Sequence, residues 1–228
     1  MAKTILICGF GTGISQAMAD KFGAEGYAVG LVARNAERVN VAAKALVAKG
    51  VKAAALPADV SDLKAIAPMV AKARQALGPI EVIHWNAYSG GAGDVVAASP
   101  EELRGVLDIA TNSLLETVRA ALPDMRKAES PAVLVTNGGL YAAEPKMDAV
   151  GVSWNAMGLS LANAVKHKLV GLLAEKLKND GVHVAEVVVN GIVKGTAFDQ
   201  GNGSLDPKVI ADKFWSLYRD RKEIRATI

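Results

Sequence analysis

Gly9-Phe10-Gly11-Thr12-Gly13-Ile14-Ser15 sets three glycines in alternation after the apolar run Thr4 to Cys8 and before a stretch with helical spacing. Backbone without side chains makes a tight turn there and lets phosphate approach the unpaired N–H groups that open a helix. The chemistry on offer is pyrophosphate binding, and the strand, loop and helix layout is that of a dinucleotide site. The spacing reads G-x-G-x-G, or G-x-x-x-G with Gly9 and Gly13 as anchors, and Ser15 stands where another glycine is expected.

Further candidates follow later apolar runs. Arg34 and Asn35 come about 20 residues beyond the loop, where an acidic residue would grip a ribose 2′-hydroxyl. The guanidinium fork of Arg34 suits a 2′-phosphate instead, which points to NADP rather than NAD; its plain alternative is solvation of a helix start. Asp59 and Val60 follow the third run, where a carboxylate can accept from an adenine amino group while the valine packs the ring. Asp59 competes with Ser61 and Asp62 for capping the next helix. Asn86 and Ala87 open a loop rich in glycine, Tyr88 to Gly93, suited to closing over a cofactor or simply to moving.

The elements that must position these residues alternate along the chain. β-Branched apolar runs recur at Thr4 to Cys8, Ala28 to Val32, Ala53 to Leu56, Glu81 to Trp85, Ala132 to Val135 and Val182 to Val189, with a last short strand over Glu223 to Ile228. Between them, helical spacing covers Ala36 to Lys49, Leu63 to Leu77, Pro100 to Lys127 and Ser153 to Asn179, with Gly50, Gly78 and Gly181 as stops. This alternation predicts an α/β fold, a Rossmann-type doubly wound parallel sheet of six to seven strands, in one domain over residues 1–228. Ligands of such sheets lie outside the carboxyl ends of the strands.

Composition narrows the function. The net charge of +3 arises from 26 basic and 23 acidic residues spread along the chain, which gives nucleic-acid binding little support. His84, His167 and His183 lie far apart with no acidic helix motif joining them, so no metal site is expected. Cys8 is alone in an apolar strand, which fits an inert buried thiol and a reducing compartment. No apolar run nears the roughly 20 residues of a membrane span, and the first residues lack a signal-peptide layout. The expectation is a soluble, cytoplasmic protein.

Taken together, the Gly9/Gly13-Ile14 loop, Arg34, Asp59-Val60, Asn86-Ala87 and the late Asn190-Gly191-Ile192-Val193 resemble the short-chain dehydrogenase/reductase family. The resemblance runs over essentially the whole chain, including Leu107-Asp108-Ile109 and Arg119 to Pro123 of the fourth helix. It implies a one-domain Rossmann sheet, NADP(H) in the crevice with Gly191 and Val193 contributing to its site, and a homodimer or homotetramer built through the long fourth and fifth helices. In that family a tyrosine donates the proton, a lysine four residues later lowers its pKa, a serine orients the carbonyl and a helical asparagine completes a relay.

No Tyr-x-x-x-Lys occurs in this chain. Reading back from Leu177 and Gly181 puts Leu159 and Asn163 at the tyrosine and lysine positions; taking Lys166 as the lysine puts Ala162 at the tyrosine. Ala110 falls at the helical asparagine, and Gly138-Gly139 stand where the serine should follow the fifth strand. Tyr141, just after the fifth strand, is the leading substitute, and Asn137 and Thr136 at the strand end, Lys166 or Lys168 further on and Asn112 two residues along the helix are the other polar candidates. Three functions compete: an NADP(H)-dependent oxidoreductase with a rearranged proton donor, a cofactor-binding sensor or scaffold without catalysis, and a structural subunit with a relic loop. Trp85, Tyr88, Tyr141, Met147, Trp154, Asn155 and Met157 offer an apolar ligand wall or core packing, and Phe214, Trp215 and Tyr218 a cleft cap or a subunit contact.

Overall fold

The structure, a computed structural model, describes residues 3–228. Seven parallel strands form one sheet: β1 (Thr4–Cys8), β2 (Ala28–Ala33), β3 (Ala53–Pro57), β4 (Ile80–Trp85), β5 (Ala132–Gly138), β6 (His183–Val189) and β7 (Arg225–Thr227), in the order β3-β2-β1-β4-β5-β6-β7. The chain turns back on itself between β3 and β4, so the crevice beside β1 is the switch point where ligands of such sheets bind.

Strand residues feed two cores by simple alternation. Ile5 and Ile7 of β1 face α1 (Ile14–Ala24), α2 (Ala36–Ala48) and α8 (Pro207–Asp220), while Leu6 and Cys8 face α3 (Leu63–Leu77), α5 (Asn112–Met125) and α7 (Met157–Lys176). Burial on both faces explains why these strands read as continuous apolar runs. Cys8 is fully buried, and burial pushes its thiol far up from its ordinary pKa.

Two long helices expected from periodicity are divided. Pro100 to Lys127 breaks at Thr111 into α4 (Pro100–Ala110) and α5, because Thr111 leaves helical geometry and turns its hydroxyl back on Leu107 O at 2.7 Å. Ser153 instead ends α6 (Pro145–Ser153), and α7 starts only at Met157. Asn155 there takes a left-handed φ of 49°, and the N–H groups of Met157 and Gly158 bond Gly93 O and Ala92 O. Docking of the loop after β4 thus sets the start of α7, a tertiary cause no local pattern carries. The aromatic residues of α8 are also corrected: Phe214 and Tyr218 are buried against α1, Trp215 packs on Phe22, and none caps the cleft. Trp85 is core, whereas Trp154 is exposed.

Candidate active site

The glycine loop is built by close approach. Gly9 has φ +82°, and a Cβ on it would lie 2.5 Å from the backbone N and Cα of Ala87, so only glycine lets the turns after β1 and β4 touch. Asn86 ties the same junction, donating from Nδ2 to Ser15 Oγ at 2.8 Å, while Ser15 Oγ donates to Gly9 O at 3.0 Å. Gly13, at φ +83°, opens α1 with no side-chain cap and no acidic residue in the first turn. The leading N–H groups of α1 therefore face outward without a side-chain acceptor, beneath open space at Gly11. This cradle fits a pyrophosphate by charge and by room.

A residue missed by the sequence reading closes the cradle. A Cβ on Gly13 would meet Thr196 Cγ2 at 2.6 Å, and Thr196 Oγ1 donates to Val193 O at 2.8 Å. The turn from exposed Gly191 to buried Val193 therefore reaches the glycine loop through Thr196. Its signal was available, since Thr196 lies only three residues beyond Val193. A cavity of about 500 Å³ opens beside it, with Thr12, Gly13, Lys194 and Lys208 in its wall.

At the end of β2, Arg34 is exposed, and no ion pair holds it among the described residues. Asn35 caps α2, accepting from Arg38 N at 2.8 Å, which brings a second arginine within one turn of the first. Asp62 caps α3, leaving Asp59 to accept from Ser61 N at 2.9 Å and Ser61 Oγ at 2.7 Å. Partial burial opposes ionisation of Asp59, but those two bonds and the Arg34 guanidinium hold its carboxyl below the usual range. Val60 packs half-buried at the margin of the second core.

The candidate catalytic quarter lies where α7 crosses the carboxyl end of β5. Asn163, Lys166 and His167 share one face of α7 by their i, i+3, i+4 spacing. Lys166 is buried and donates from Nζ to Thr136 O at 3.1 Å; burial pushes its pKa down to about 8, with Glu186 opposing. Tyr141, in a short 3-10 turn after β5, stacks on His167 with ring centroids 4.1 Å apart. His167 Nδ1 lies 2.7 Å from Glu186 Oε1, a close contact without hydrogen-bond alignment. Fully buried Glu186 also accepts from Arg225 Nε at 2.8 Å and from Asn137 Nδ2 at 3.0 Å.

Asn137 does not present a free group to a substrate. Its Nδ2 serves both Glu186 and Asn163 O, and its Oδ1 accepts from Gly138 N, so the amide braces β5 against α7 and β6. Thr136 turns its hydroxyl to buried His84 Nε2 at 3.0 Å. Asn112 is exposed at the start of α5 and donates to Asp108 on α4, and Lys168 is exposed on α7. The structure therefore brings Tyr141, Lys166 and Asn137 into one quarter and leaves Asn112 outside it. Across the crevice, Tyr88 and Phe198, both about half exposed, face each other with centroids 5.8 Å apart. Asp199 holds the Phe198 loop by accepting from the N–H groups of Gly195, Gly201 and Gly203.

Comparison with known proteins agrees with this fold. The model of the short chain dehydrogenase family matches residues 3–150, and the chain belongs to that family. It is 30% identical over 186 residues to 3-dehydrosphinganine reductase TSC10B of Arabidopsis thaliana, covering 80% of this chain. The chain spans about half or less of the curated plant relatives it matches, 53% of TSC10B and 40% of TSC10A. Among solved structures, L-sorbose reductase from Gluconobacter frateurii, complexed with NADPH and L-sorbose, superposes with a TM-score of 0.85 at 20% identity, over 100% of this chain and 95% of that one. A short chain oxidoreductase from Pseudomonas aeruginosa PAO1, described as containing an atypical catalytic center, superposes at 0.83 with 20% identity, over 100% and 95% of the two chains.

Proposed function

We propose that this chain is an NADP(H)-dependent oxidoreductase acting between a carbonyl and an alcohol of a small molecule, with a proton donor other than the family's usual tyrosine. The observation that carries the reading is the uncapped start of α1 beneath the Gly9–Gly13 turn, with unpaired Arg34 at the end of the neighbouring strand. Gly9 to Ile14, Asn86, Ala87 and Thr196 would hold the pyrophosphate side, Asp59 and Val60 the adenine, and Arg34 the 2′-phosphate. Asn35 enters through the cap that orients Arg34 and Arg38; Gly191 and Val193 enter through the turn that delivers Thr196. When bound, NADPH supplies a hydride to the carbonyl carbon while the carbonyl oxygen takes one proton from the protein, giving the alcohol and NADP⁺.

Tyr141 is the group assigned to that proton, with its ring held on His167, and Lys166, bonded to Thr136 O at the end of the same strand, is the cation assigned to assist it. A phenol needs help to transfer a proton near neutral pH, and a buried lysine with pKa about 8 is suited to share it. The aromatic Tyr88 and Phe198 pair favours a substrate with apolar surface. Leu161, Val165 and Leu172 form an exposed apolar stripe on α7, which supports a homodimer or homotetramer through this helix. No helix among the described residues is long and apolar enough to cross a membrane.

A second reading, a cofactor-binding sensor or scaffold, is favoured by Leu159 and Ala162 standing where a tyrosine would. Calorimetric titration with NADPH and NADH, followed by NADPH consumption against a panel of carbonyls, separates the two. The oxidoreductase reading expects tight NADPH binding with turnover, and Tyr141→Phe then lowers kcat at least a hundredfold while NADPH affinity holds. Binding without turnover supports the sensor, and no binding of either nucleotide refutes both.

A further inference from the structure

Asn163 is 4% exposed, yet among the described residues no group accepts from or donates to its side-chain amide; only its backbone O is engaged, by Asn137. A carboxamide carries two donors and two lone pairs, and those of Asn163 are not sealed from solvent, so water meets them in the free protein and a ligand can take that water's place. α7 lays this amide on Gly138, the last residue of β5, at the carboxyl edge of the sheet.

The contact with Gly138 is specific. A Cβ at position 138 would lie 2.8 Å from Asn163 Nδ2, so the amide nitrogen takes the space a side chain from the strand would need. The next residue repeats the arrangement, since a Cβ on Gly139 would lie 2.6 Å from Asn190 Oδ1. The two consecutive glycines are thus matched to two asparagines arriving from α7 and from the turn after β6. The amide donor at this strand end, Asn163 Nδ2, comes from the helix rather than from the strand, while Asn190 presents its acceptor oxygen.

We propose that Asn163 Nδ2 is the donor that holds the substrate carbonyl oxygen, delivered from α7 into the space left by Gly138. The assignment rests on the oxidoreductase reading above. An amide N–H stabilises negative charge growing on that oxygen during hydride arrival, but it is not an acid at working pH. Asn163 therefore polarises and orients the carbonyl, and the proton still comes from a separate group. Glycine at 138 is a requirement of this design rather than a missing function.

The test reads Asn163 directly and does not depend on turnover. Calorimetry with NADP⁺ first establishes the binary complex. The two side-chain N–H signals of Asn163, assigned in ¹H–¹⁵N spectra by their loss in Asn163→Ala, are then followed as cyclohexanone, acetophenone and diacetyl are added to the complex. At least one ketone should shift both signals, and Asn163→Ala should weaken that ketone about tenfold, the worth of one hydrogen bond, with NADP⁺ affinity unchanged. Asn163→Asp, which keeps the volume and replaces donors by acceptors, should weaken it at least as much. Gly138→Ser should restore affinity in the Asn163→Ala background, but harm it in the parent protein, where the new Cβ meets Nδ2. Stationary Asn163 signals with all three ketones, or unchanged affinity in Asn163→Ala, overturn the proposal while the cofactor reading stands. Absence of NADP⁺ binding refutes that reading and the proposal together.

Discussion

Replacing Arg225 by leucine tests whether the short edge strand β7 holds the candidate catalytic quarter in place. Glu186 is fully buried, and its Oε1 is met by Arg225 Nε at 2.8 Å, while Arg225 Nη2 donates to His167 O at 2.9 Å. Removing one partner of a buried pair costs about 3–5 kcal/mol when the remaining charge is left uncompensated, and here buried Lys166 still faces Glu186. Arg225 keeps 40% of its side chain in solvent, so its share is screened and the lower end applies, about 3 kcal/mol. For a chain of this size that corresponds to a drop in Tm of about 6–12 °C.

The sharper form is a double-mutant cycle in urea unfolding. Glu186→Gln in the parent protein weakens a charge-assisted bond and should cost about 1 kcal/mol. In the Arg225→Leu background the same change removes the stranded charge and should restore about 1–2 kcal/mol, because Asn137 Nδ2 can still donate to a glutamine Oε1 at 186. Equal effects of Glu186→Gln in both backgrounds would show that Arg225 and Glu186 are not coupled. The view that β7 holds β6 through Glu186 would then be wrong.

Arg34→Ala should weaken NADPH about 10–100-fold and NADH by less than threefold in calorimetry, since only the former carries the phosphate that needs a charge-assisted bond; equal losses would remove Arg34 from the site. Lys166 gives a pH signature. Its folded pKa of about 8 lies below the ordinary lysine value, so between pH 8 and about 10.5 the unfolded chain binds more protons and its contribution to stability rises with pH. Relative to Lys166→Met, the parent should therefore gain on the order of 3 kcal/mol from pH 8 to 10.5 in urea unfolding. A flat difference would place the ammonium in solvent.

The sheet and its crevice were legible in the chain because their causes are local. Alternating apolar runs mark strands buried on both faces, Gly50 and Gly181 take the positive φ of helix stops, and Gly9 to Gly13 signals a tight turn before a helix. The strand-end placement of Arg34 and Asp59 was legible for a similar reason, each following a strand by a short fixed count. By contrast, the division of Ser153 to Asn179 depends on the loop Ala92–Gly93 docking on the start of α7, a contact between segments more than 60 residues apart. The burial of Phe214 and Tyr218 depends likewise on α1 lying opposite α8.

The chemistry divides along the same line. Sequence alone offered Leu159 or Ala162 on α7, Ala110 on α4 and Gly138-Gly139 at the end of β5 for the positions that the family resemblance assigns to the tetrad, because residue identity at a counted position needs no fold. Only the tertiary structure decided what occupies that space. Asn137, chosen for its place after a strand, is engaged by Glu186 and Asn163 O, whereas Asn163, read as a vacancy, carries the free amide. Which amide is bonded and which is free depends on how α7, β5 and β6 meet, and hydrogen-bond partners separated by 26 and 49 residues leave no periodic trace in the chain.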